Sequence, residues 1–336
     1  MNQIVPPLGH HMRAELGDAS TVFAHTATLD VSDTIAPLNL SAAHAFYTIA
    51  RGSSDAAANI LSYEFMRELG KPMTSLPPSV FSVGDGVSMA GAVGLAISQS
   101  GASDDLVRTA RGVKQRGGTV LALTNVPGSR VELESDVTLP IRAGEELAVP
   151  ATKTVIGSVA VGLSLLAALQ PAYADRLAAS ATCFEGLGNL APKAHQELRE
   201  ALLRARHIYV VGRDTGFGAA QEIALKIKET CAIHAEAYSA SEVLHGPLQL
   251  ATNSLTVLVL DTQLDIASDS LDHAFDRFQR AGIDVHRICL HQPDLTPAAT
   301  AAGLLRGVYP VILETALALG LNPDAPSALS KVTVTR

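Results

Sequence analysis

Two stretches of thirteen residues in this chain share a common pattern, and this internal repeat constrains the fold more than any other feature. The copy that begins at Tyr47 aligns with the copy that begins at Tyr209, so the two are 162 residues apart (209 minus 47). The alignment pairs Arg51 with Arg213. Each copy begins as a β-branched run, passes through a polar turn and continues with apolar residues at helical spacing. Two similar domains are therefore expected.

The order of the predicted elements indicates the fold class. Further runs typical of strands alternate with helical patterns and cover residues 92–97, 119–124, 255–260 and 284–290. This alternation predicts an α/β fold with mostly parallel sheets flanked by helices, doubly wound and three-layered in each domain. The expected limits are 1–40 for a helical lead-in, 41–170 for the first domain, 171–200 for a helical connection, 201–321 for the second domain and 322–336 for a Pro-rich tail that folds over the functional site.

Composition and charge argue against several classes of function. The 336 residues are 47% hydrophobic and 17% charged, and 25 basic against 33 acidic residues give a net charge of −8. No basic cluster occurs, so we expect neither nucleic acid nor a membrane surface as a partner. The widely spaced Cys183, Cys231 and Cys289, and an N-terminus without a signal-peptide pattern, favour a reducing cytoplasm. The longest apolar run, 155–169, is too short to cross a bilayer and predicts a buried helix.

Three loops of the first half carry groups suited to binding an anion. They cover residues 51–55, 98–103 and 145–153. In open parallel sheets, ligands bind beyond the carboxyl ends of the strands. Serine hydroxyls beside glycine at a helix start can donate to a phosphate, together with backbone N–H groups and the positive helix end. The alternative is that Ser54 and Ser103 only cap their helices.

Asp104 and Asp105 complicate the prediction of a phosphate site. Carboxylates in the first turn of a helix compete with a phosphate for the same backbone N–H groups. Both side chains are therefore expected to point to solvent.

In the second half, residues 226–247 are rich in titratable side chains. Lys226 and Glu229 are three residues apart on a predicted helix and lie away from its apolar stripe. This spacing fits acid–base chemistry, although a solvated ion pair is the simpler interpretation. His245 precedes Gly-Pro and is therefore expected on a turn, where it can titrate near neutrality.

Other polar residues of the second half have weaker patterns. His234 and Glu236 are expected to form a structural contact at a strand end. Lys331 lies near the C-terminus in a strand-like segment, 329–333, and is therefore retained as a site candidate. The sequence contains no metal-ligand spacing, no Gly-x-Gly-x-x-Gly loop and no Walker loop, so we expect no metal and no cofactor.

The ordered set of these motifs resembles the sugar isomerase (SIS) family. It is most similar to the isomerase half of glucosamine-6-phosphate synthase and to the stand-alone SIS-type glucosamine-6-phosphate deaminases. The similarity runs from about residue 47 to the C-terminus, and the matching segments are 51–55, 97–101, 124–126, 151–153, 225–229, 234–237, 242–247 and 329–333. The resemblance implies two tandem SIS domains.

The resemblance also implies a role for each matching position. The implied phosphate-binding residues are Ser54, Ser98, Gln99, Ser100 and Ser103, and the implied sugar contacts are Arg51, Val149 and Ala151. Glu229 matches the base that moves a proton between C1 and C2, and Lys226 accompanies it. His245 matches a ring-opening histidine that the synthase contributes across a dimer interface. Lys331 matches a tail lysine that reaches the open-chain sugar.

Two departures from the synthase bear on the expected activity. The sequence has no N-terminal cysteine glutaminase domain to supply ammonia, and Ala151 replaces a serine that contacts the sugar. The resemblance therefore implies the reverse reaction, a glucosamine-6-phosphate deaminase that acts as a homodimer and completes each site with the neighbouring subunit. A galactosamine-6-phosphate deaminase, a plain aldose–ketose isomerase and a non-catalytic sugar-phosphate sensor are the alternatives.

Overall fold

The first sheet contains five parallel strands. The structure is a computed structural model and describes residues 6–331. The strands are β1 (Ala45–Ile49), β2 (Met73–Ser75), β3 (Ala92–Ser98), β4 (Thr119–Thr124) and β5 (Val137–Pro140). Their spatial order is β2-β1-β3-β4-β5, so the direction of winding reverses between β1 and β3. The loops after β1 and β3 therefore meet at the carboxyl edge of the sheet, at the usual position for a ligand.

The second sheet contains four parallel strands in the order β7-β6-β8-β9. They are β6 (His207–Gly212), β7 (His234–Ser239), β8 (Thr256–Leu260) and β9 (Asp284–Ile288). The two parallel sheets confirm the predicted α/β class. The four strands expected in the sequence agree with β3, β4, β8 and β9 to within two residues at either end.

β7 is a strand that the apolar pattern does not predict. It lies at the edge of its sheet and alternates small with polar residues, so its sequence lacks a continuous apolar run. His234 and Glu236, expected at a strand end, lie at its start and within it. The partner of His234 is the ring of His207, with ring centroids 5.4 Å apart, and Glu236 accepts a 3.0 Å hydrogen bond from the Tyr238 hydroxyl.

Helices flank both sheets and connect their strands. In chain order they are α1 (His10–Ala27), α2 (Ser32–Ile35), α3 (Ser53–Leu69), α4 (Ser79–Ser82), α5 (Asp104–Gln115), α6 (Arg130–Leu133), α7 (Lys153–Leu169), α8 (Ala174–Glu185), α9 (Pro192–Arg204), α10 (Thr215–Cys231), α11 (Asp265–Arg280) and α12 (Pro297–Ala318). Helix α1 packs on α7 and α8, whereas α10 packs between α3 and α12.

The internal repeat is visible in the backbone of the two longest repeated elements. Helices α3 and α10 have 17 residues each, and both their first and their last residues are 162 positions apart. The residues before them, Gly52 and Asp214, share nearly the same left-handed φ of 54° and 55° with ψ of −128° and −132°. Gly70 and Ala232, which end the helices, also share a left-handed conformation. The predicted duplication is therefore confirmed.

Equivalent positions of the two copies touch each other at the contact between α3 and α10. Asn59 Nδ2 donates a 2.7 Å hydrogen bond to Gln221 Oε1, and these residues are also 162 positions apart. A contact between equivalent residues is expected where an approximate two-fold axis relates the two copies. The helices are antiparallel, because Ser53 at the start of α3 bonds to Lys226 near the end of α10, and Arg67 near the end of α3 pairs with Asp214 before α10.

Two apolar helices form much of the core. Helix α7 contains the apolar run at 155–169 and is buried from Lys153 to Leu166, which confirms the predicted buried helix. Helix α12 is long and apolar enough by composition to cross a membrane, but 72% of its most apolar window is buried inside the fold. It packs against α1, α9 and α10. Its apolar character is therefore that of a core helix.

The expected domain limits remain a prediction, although the two sheets occur inside them. Strands β1 to β5 lie within 41–170, and β6 to β9 lie within 201–321. Helix α1 belongs to the expected lead-in, and α8 belongs to the expected connection, which α9 extends to Arg204.

The tail at 322–331 consists of turns, so the strand expected at 329–333 is wrong for its described part. Leu329 N–H bonds to the carbonyl of Pro326, which closes a turn. Val332 and Thr333 lie outside the described residues. The tail is fixed to the first helix because the Asp324 carboxylate accepts hydrogen bonds from the N–H groups of His11 and Met12, where negative charge stabilises a helix.

The contact between α3 and α10 predicts a difference between two helical glycines. A Cβ atom on Gly218 of α10 would lie 2.6 Å from the backbone N of Ile60, whereas a Cβ on Gly17 of α1 meets nothing within 4 Å. We expect Gly218→Ala to lower the free energy of unfolding by about 1–3 kcal/mol, because the helices must separate. Gly17→Ala should raise it by up to about 1 kcal/mol. Urea unfolding of both variants checks this, and equal effects would contradict the close helix contact.

Candidate functional site

A cavity of about 370 Å³ opens at the carboxyl edge of the first sheet. Its walls are the loop between β1 and α3, the loop between β3 and α5, the segment before α7, the carboxyl end of α10 and the tail. Ten of the twelve predicted site residues line it: Arg51, Ser54, Ser98, Gln99, Ser100, Ser103, Val149, Ala151, Glu229 and Lys331. The fold therefore brings together residues that are up to 280 positions apart (331 minus 51), while their roles remain predictions.

The loops 51–55 and 98–103, called the serine loops below, lie in the wall of the cavity. Ser54 is the second residue of α3, which begins after Gly52, so the capping alternative is wrong for Ser54. Ser103 does occupy the N-cap position of α5, but its side chain makes no capping hydrogen bond. Ser98 Oγ accepts from the N–H of Gly101 at 3.0 Å, so its own hydrogen can still be donated to a ligand.

Asp104 and Asp105 differ in their surroundings. Asp104 forms ion pairs with Arg108 at 2.7 Å and Arg130 at 2.8 Å on the outer surface. Asp105 instead lines the cavity, and its side chain is only 12% exposed. The expectation that both carboxylates point to solvent is therefore wrong for Asp105. The physical reason is an ion pair with Arg51, whose Nη2 lies 3.0 Å from Asp105 Oδ2.

Lys226 lies directly behind the cavity and is fully buried. Its ammonium group donates to Ser53 Oγ at 2.9 Å and to Glu229, whose side chain is 23% exposed and lines the cavity. The interpretation of a solvated ion pair is therefore wrong. A single apolar stripe suggests one buried helix face, but α3 and α12 both pack on α10 and bury its polar face as well.

Glu222 is a buried acidic residue that the sequence reasoning missed. Its Oε1 accepts a 3.0 Å hydrogen bond from the Tyr309 hydroxyl and lies 3.4 Å from Lys226 Nζ. Burial raises its pKa from 4.5 to about 7, although the neighbouring Lys226 opposes the shift. Its position, four residues before Lys226 on the same helix face, is the signal that could have identified it.

The charge of Lys226 is maintained by its two acidic neighbours. Burial alone would lower the pKa of this ammonium group, but the carboxylates of Glu222 and Glu229 outweigh burial and raise the pKa above its usual value. A buried lysine needs such partners, because an uncompensated charge would be expensive in the protein interior. The site therefore contains one permanent cation beside the carboxylate that faces the cavity.

A second buried carboxylate, Glu146, fixes the loop before α7. Glu146 Oε1 accepts from the N–H groups of Thr152 and Thr154 at 3.0 and 3.1 Å. Lys331 Nζ donates to the carbonyl of Ala148 and lies 3.4 Å from Glu146 Oε2. The loop that carries two of the three expected sugar contacts, Val149 and Ala151, is therefore anchored, and the tail contributes Lys331 to it. Sequence reasoning missed Glu146 because most of its partners are in its own loop and no residue pattern marks them.

His245 does not line the cavity of its own chain. It follows a 3-10 turn at Glu242–Leu244 and is exposed. The cavity-lining residues of the same chain do not include it. This position is compatible with a contribution to the site of a neighbouring subunit, which remains a prediction.

Comparison with known protein families shows to which family the chain belongs. The model of the SIS domain matches residues 39–168 and 201–304, two segments that contain the two parallel sheets. The chain therefore belongs to the SIS family, and the resemblance based on its motifs is confirmed.

Relatives of the chain include isomerizing glutamine–fructose-6-phosphate aminotransferases. The chain is 30% identical to the protein of Sulfurisphaera tokodaii over 292 residues, which cover 84% of this chain and 49% of the relative. It is 38% identical to the protein of Symbiobacterium thermophilum over 190 residues, which cover 53% and 31%. The chain thus spans half or less of the length of these relatives.

Solved structures share the whole architecture. A protein of Silicibacter pomeroyi, which its name assigns to the phosphosugar isomerases, has a TM-score of 0.84 and 33% identity, over 94% of this chain and 99% of that protein. The glucosamine-6-phosphate deaminase of Thermotoga maritima has a TM-score of 0.72 over 97% of this chain and 100% of that protein, at 19% identity. The second similarity shows a shared fold.

The raised pKa of Glu222 predicts a pH-dependent stability. The folded protein keeps a proton on Glu222 between about pH 4.5 and 7, whereas the unfolded chain loses it, so stability falls as the pH rises through this window. A shift of the Glu222 pKa from 4.5 to about 7 lowers the free energy of unfolding by an amount on the order of 3 kcal/mol across this window. Glu222→Gln should remove this fall, and the exposed Glu197→Gln should keep it. Urea unfolding from pH 4 to 8 measures both, and parallel curves for Glu222→Gln and wild type would contradict the assignment.

Proposed function

We propose that the protein is an isomerising amino-sugar-phosphate deaminase, which converts glucosamine 6-phosphate and water into fructose 6-phosphate and ammonia. One observation carries the proposal. Glu229, paired with the buried Lys226, faces a cavity whose other walls carry serine hydroxyls and a tail lysine. Such a cavity suits a phosphorylated sugar whose reacting carbons lie beside a carboxylate.

The phosphate group belongs at the serine loops. Ser98, Ser100 and Ser103 supply hydroxyl donors, and the 12-residue helix α5 directs its positive end to the same region. Binding of the phosphate here leaves the opposite end of the sugar near Glu229. Because the phosphate does not react, these loops provide fixed binding energy away from the chemistry.

Ring opening comes first in the proposed reaction. His245 of a neighbouring subunit removes the proton of O1 and delivers a proton to the ring oxygen, which gives the open-chain amino aldehyde. His245 next takes one proton from the C2 ammonium group. Glu229 removes the proton from C2 while O1 accepts that proton from His245, and the product is an enaminol. Glu229 returns its proton to C1, which gives the protonated imine of fructose 6-phosphate. Water adds to C2 of this iminium ion, and the nitrogen leaves with its protons as ammonium.

The cations of the site stabilise the charge that develops in these steps. Lys226 donates to Glu229 and fixes the direction of its carboxylate, and it offsets negative charge near the reacting carbons. Lys331 belongs to the tail and donates a hydrogen bond to the Ala148 carbonyl. It lies in the cavity wall, where it can contact O1 or the substituent on C2. Neither role requires a metal or a cofactor.

The alternatives share the cavity residues and differ in the substrate or the outcome. A deaminase for galactosamine 6-phosphate would prefer the other epimer, and a plain isomerase would release no ammonia. A sensor would bind sugar phosphates without turnover. A coupled assay for ammonia with both amino sugar phosphates, and with fructose 6-phosphate as a control, tests the proposal. No ammonia from glucosamine 6-phosphate would refute it.

Replacing the proposed base separates chemistry from binding. General-base catalysis contributes about 10²- to 10⁴-fold to the rate, so Glu229→Gln should lose kcat on that scale and keep its affinity for the sugar phosphate. Ammonia release gives kcat, and titration calorimetry gives Kd. The exposed Glu200→Gln on α9 is the matched control and should behave like wild type. Unchanged turnover in Glu229→Gln would exclude this residue as the base.

The contribution of His245 by a neighbouring subunit is testable with mixed dimers. Co-expressed Glu229→Gln and His245→Asn chains form heterodimers in which one site has both residues intact, if His245 acts on its neighbour. Random pairing makes half of all dimers mixed, so about a quarter of the wild-type activity should return. If His245 acts within its own chain, both sites of the mixed dimer are damaged and no activity returns.

A further inference from the structure

Arg51 and Asp105 form an ion pair within the wall of the cavity. Arg51 Nη2 lies 3.0 Å from Asp105 Oδ2, and both residues line the space beside the serine loops. The Arg51 side chain is 50% exposed, and that of Asp105 is 12% exposed. Asp105 Oδ1 accepts a 2.9 Å hydrogen bond from the N–H of Leu106, which fixes the carboxylate at the first turn of α5.

The position of this carboxylate conflicts with the binding of an anion. A phosphate ester carries up to two negative charges, and a carboxylate in the same cavity repels it. Asp105 also uses a backbone N–H of the helix start that could otherwise be donated to the phosphate. The serine hydroxyls are neutral and cannot cancel the repulsion. The cavity therefore needs a cation close to Asp105 before a phosphate can bind well.

The Arg51 guanidinium supplies this cation, and it is held by the carboxylate that it neutralises. We propose that Arg51 acts as a positioning residue for the phosphate, because it cancels the charge of Asp105, and that it does not itself contact the sugar. This role differs from the sugar contact that the family resemblance implies. The inference rests on the proposed function, since it requires a sugar phosphate in this cavity.

A double-mutant cycle distinguishes the two roles of Arg51. Arg51→Gln leaves Asp105 unpaired and should weaken the binding of glucosamine 6-phosphate at least tenfold. Asp105→Asn removes the repulsion and should bind as tightly as wild type or more tightly. The double variant contains neither charge, and its Kd should return to within about threefold of wild type. Such recovery is the signature of coupled residues.

Titration calorimetry with two probes measures the cycle. Inorganic phosphate should show the same order of affinities as glucosamine 6-phosphate, because the proposed effect acts on the phosphate alone. A double variant that binds as weakly as Arg51→Gln would overturn the inference and indicate a direct contact of Arg51 with the ligand. An effect on the sugar phosphate without an effect on inorganic phosphate would overturn it too.

The neighbouring ion pair provides the matched control. Asp104 and Arg108 pair at 2.7 Å in the same helical turns, but neither lines the cavity. Asp104→Asn, Arg108→Gln and their combination should leave both affinities unchanged, and equal effects at this pair would overturn the inference. Thermal unfolding verifies that each variant is folded.

Turnover measured in parallel separates this inference from the proposed function. A wild-type protein that binds the sugar phosphate without releasing ammonia would refute the deaminase activity and leave the role of Arg51 standing. A wild-type protein that binds neither probe would refute both. Ammonia release together with an unrecovered double variant would refute the role of Arg51 alone.

Discussion

The arrangement of the cavity depends on the contacts of the buried Lys226 ammonium group. It connects Ser53 at the start of α3 with Glu222 and Glu229 on α10, and it is fully buried. A buried charge is tolerated only with close partners, so these groups fix one another in position. Since the start of α3 also forms part of the cavity wall, the same contact places Glu229 in the cavity that the proposed phosphate loops line.

The approximate two-fold symmetry shows why only one end of the helix pair forms this cavity. The positions equivalent to Lys226 and Glu229 are Glu64 and Arg67 (226 and 229 minus 162), so the order of charge is reversed. Arg67 bonds to Glu64 at 2.8 Å and also reaches Asp214, the residue equivalent to Gly52. A carboxylate thus occupies the turn that glycine leaves open in the first half. The two ends of the helix pair therefore differ. The end with Gly52 opens into the cavity, whereas the end with Asp214 is occupied by ion pairs.

Local patterns in the sequence were sufficient to predict the repeat, most strands and the three loops of the first half, whereas the family resemblance named the ten predicted residues that line the cavity. The repeat, the strands and the loops depend on short-range spacing, which strands, helices and polar turns reveal directly. The burial of Lys226 was not predictable, because it results from the packing of α3 and α12 on α10. The inward direction of Asp105 depends on Arg51, and the role of Glu222 depends on Tyr309, which is distant in the chain. Glu146 bonds to Thr152 and Thr154 in its own loop and lies beside the distant Lys331. Packing between separate elements accounts for the first three of these errors.

The central claim is that the serine loops bind the phosphate while Glu229 faces the carbons that exchange a proton. A crystal structure with glucosamine 6-phosphate bound tests it most directly. The account predicts phosphate oxygens within hydrogen-bond distance of Ser98, Ser100 and Ser103, and a Glu229 carboxylate about 3–3.5 Å from C1 or C2. A phosphate bound elsewhere, or a sugar whose C1 and C2 lie beyond reach of Glu229, would contradict the account.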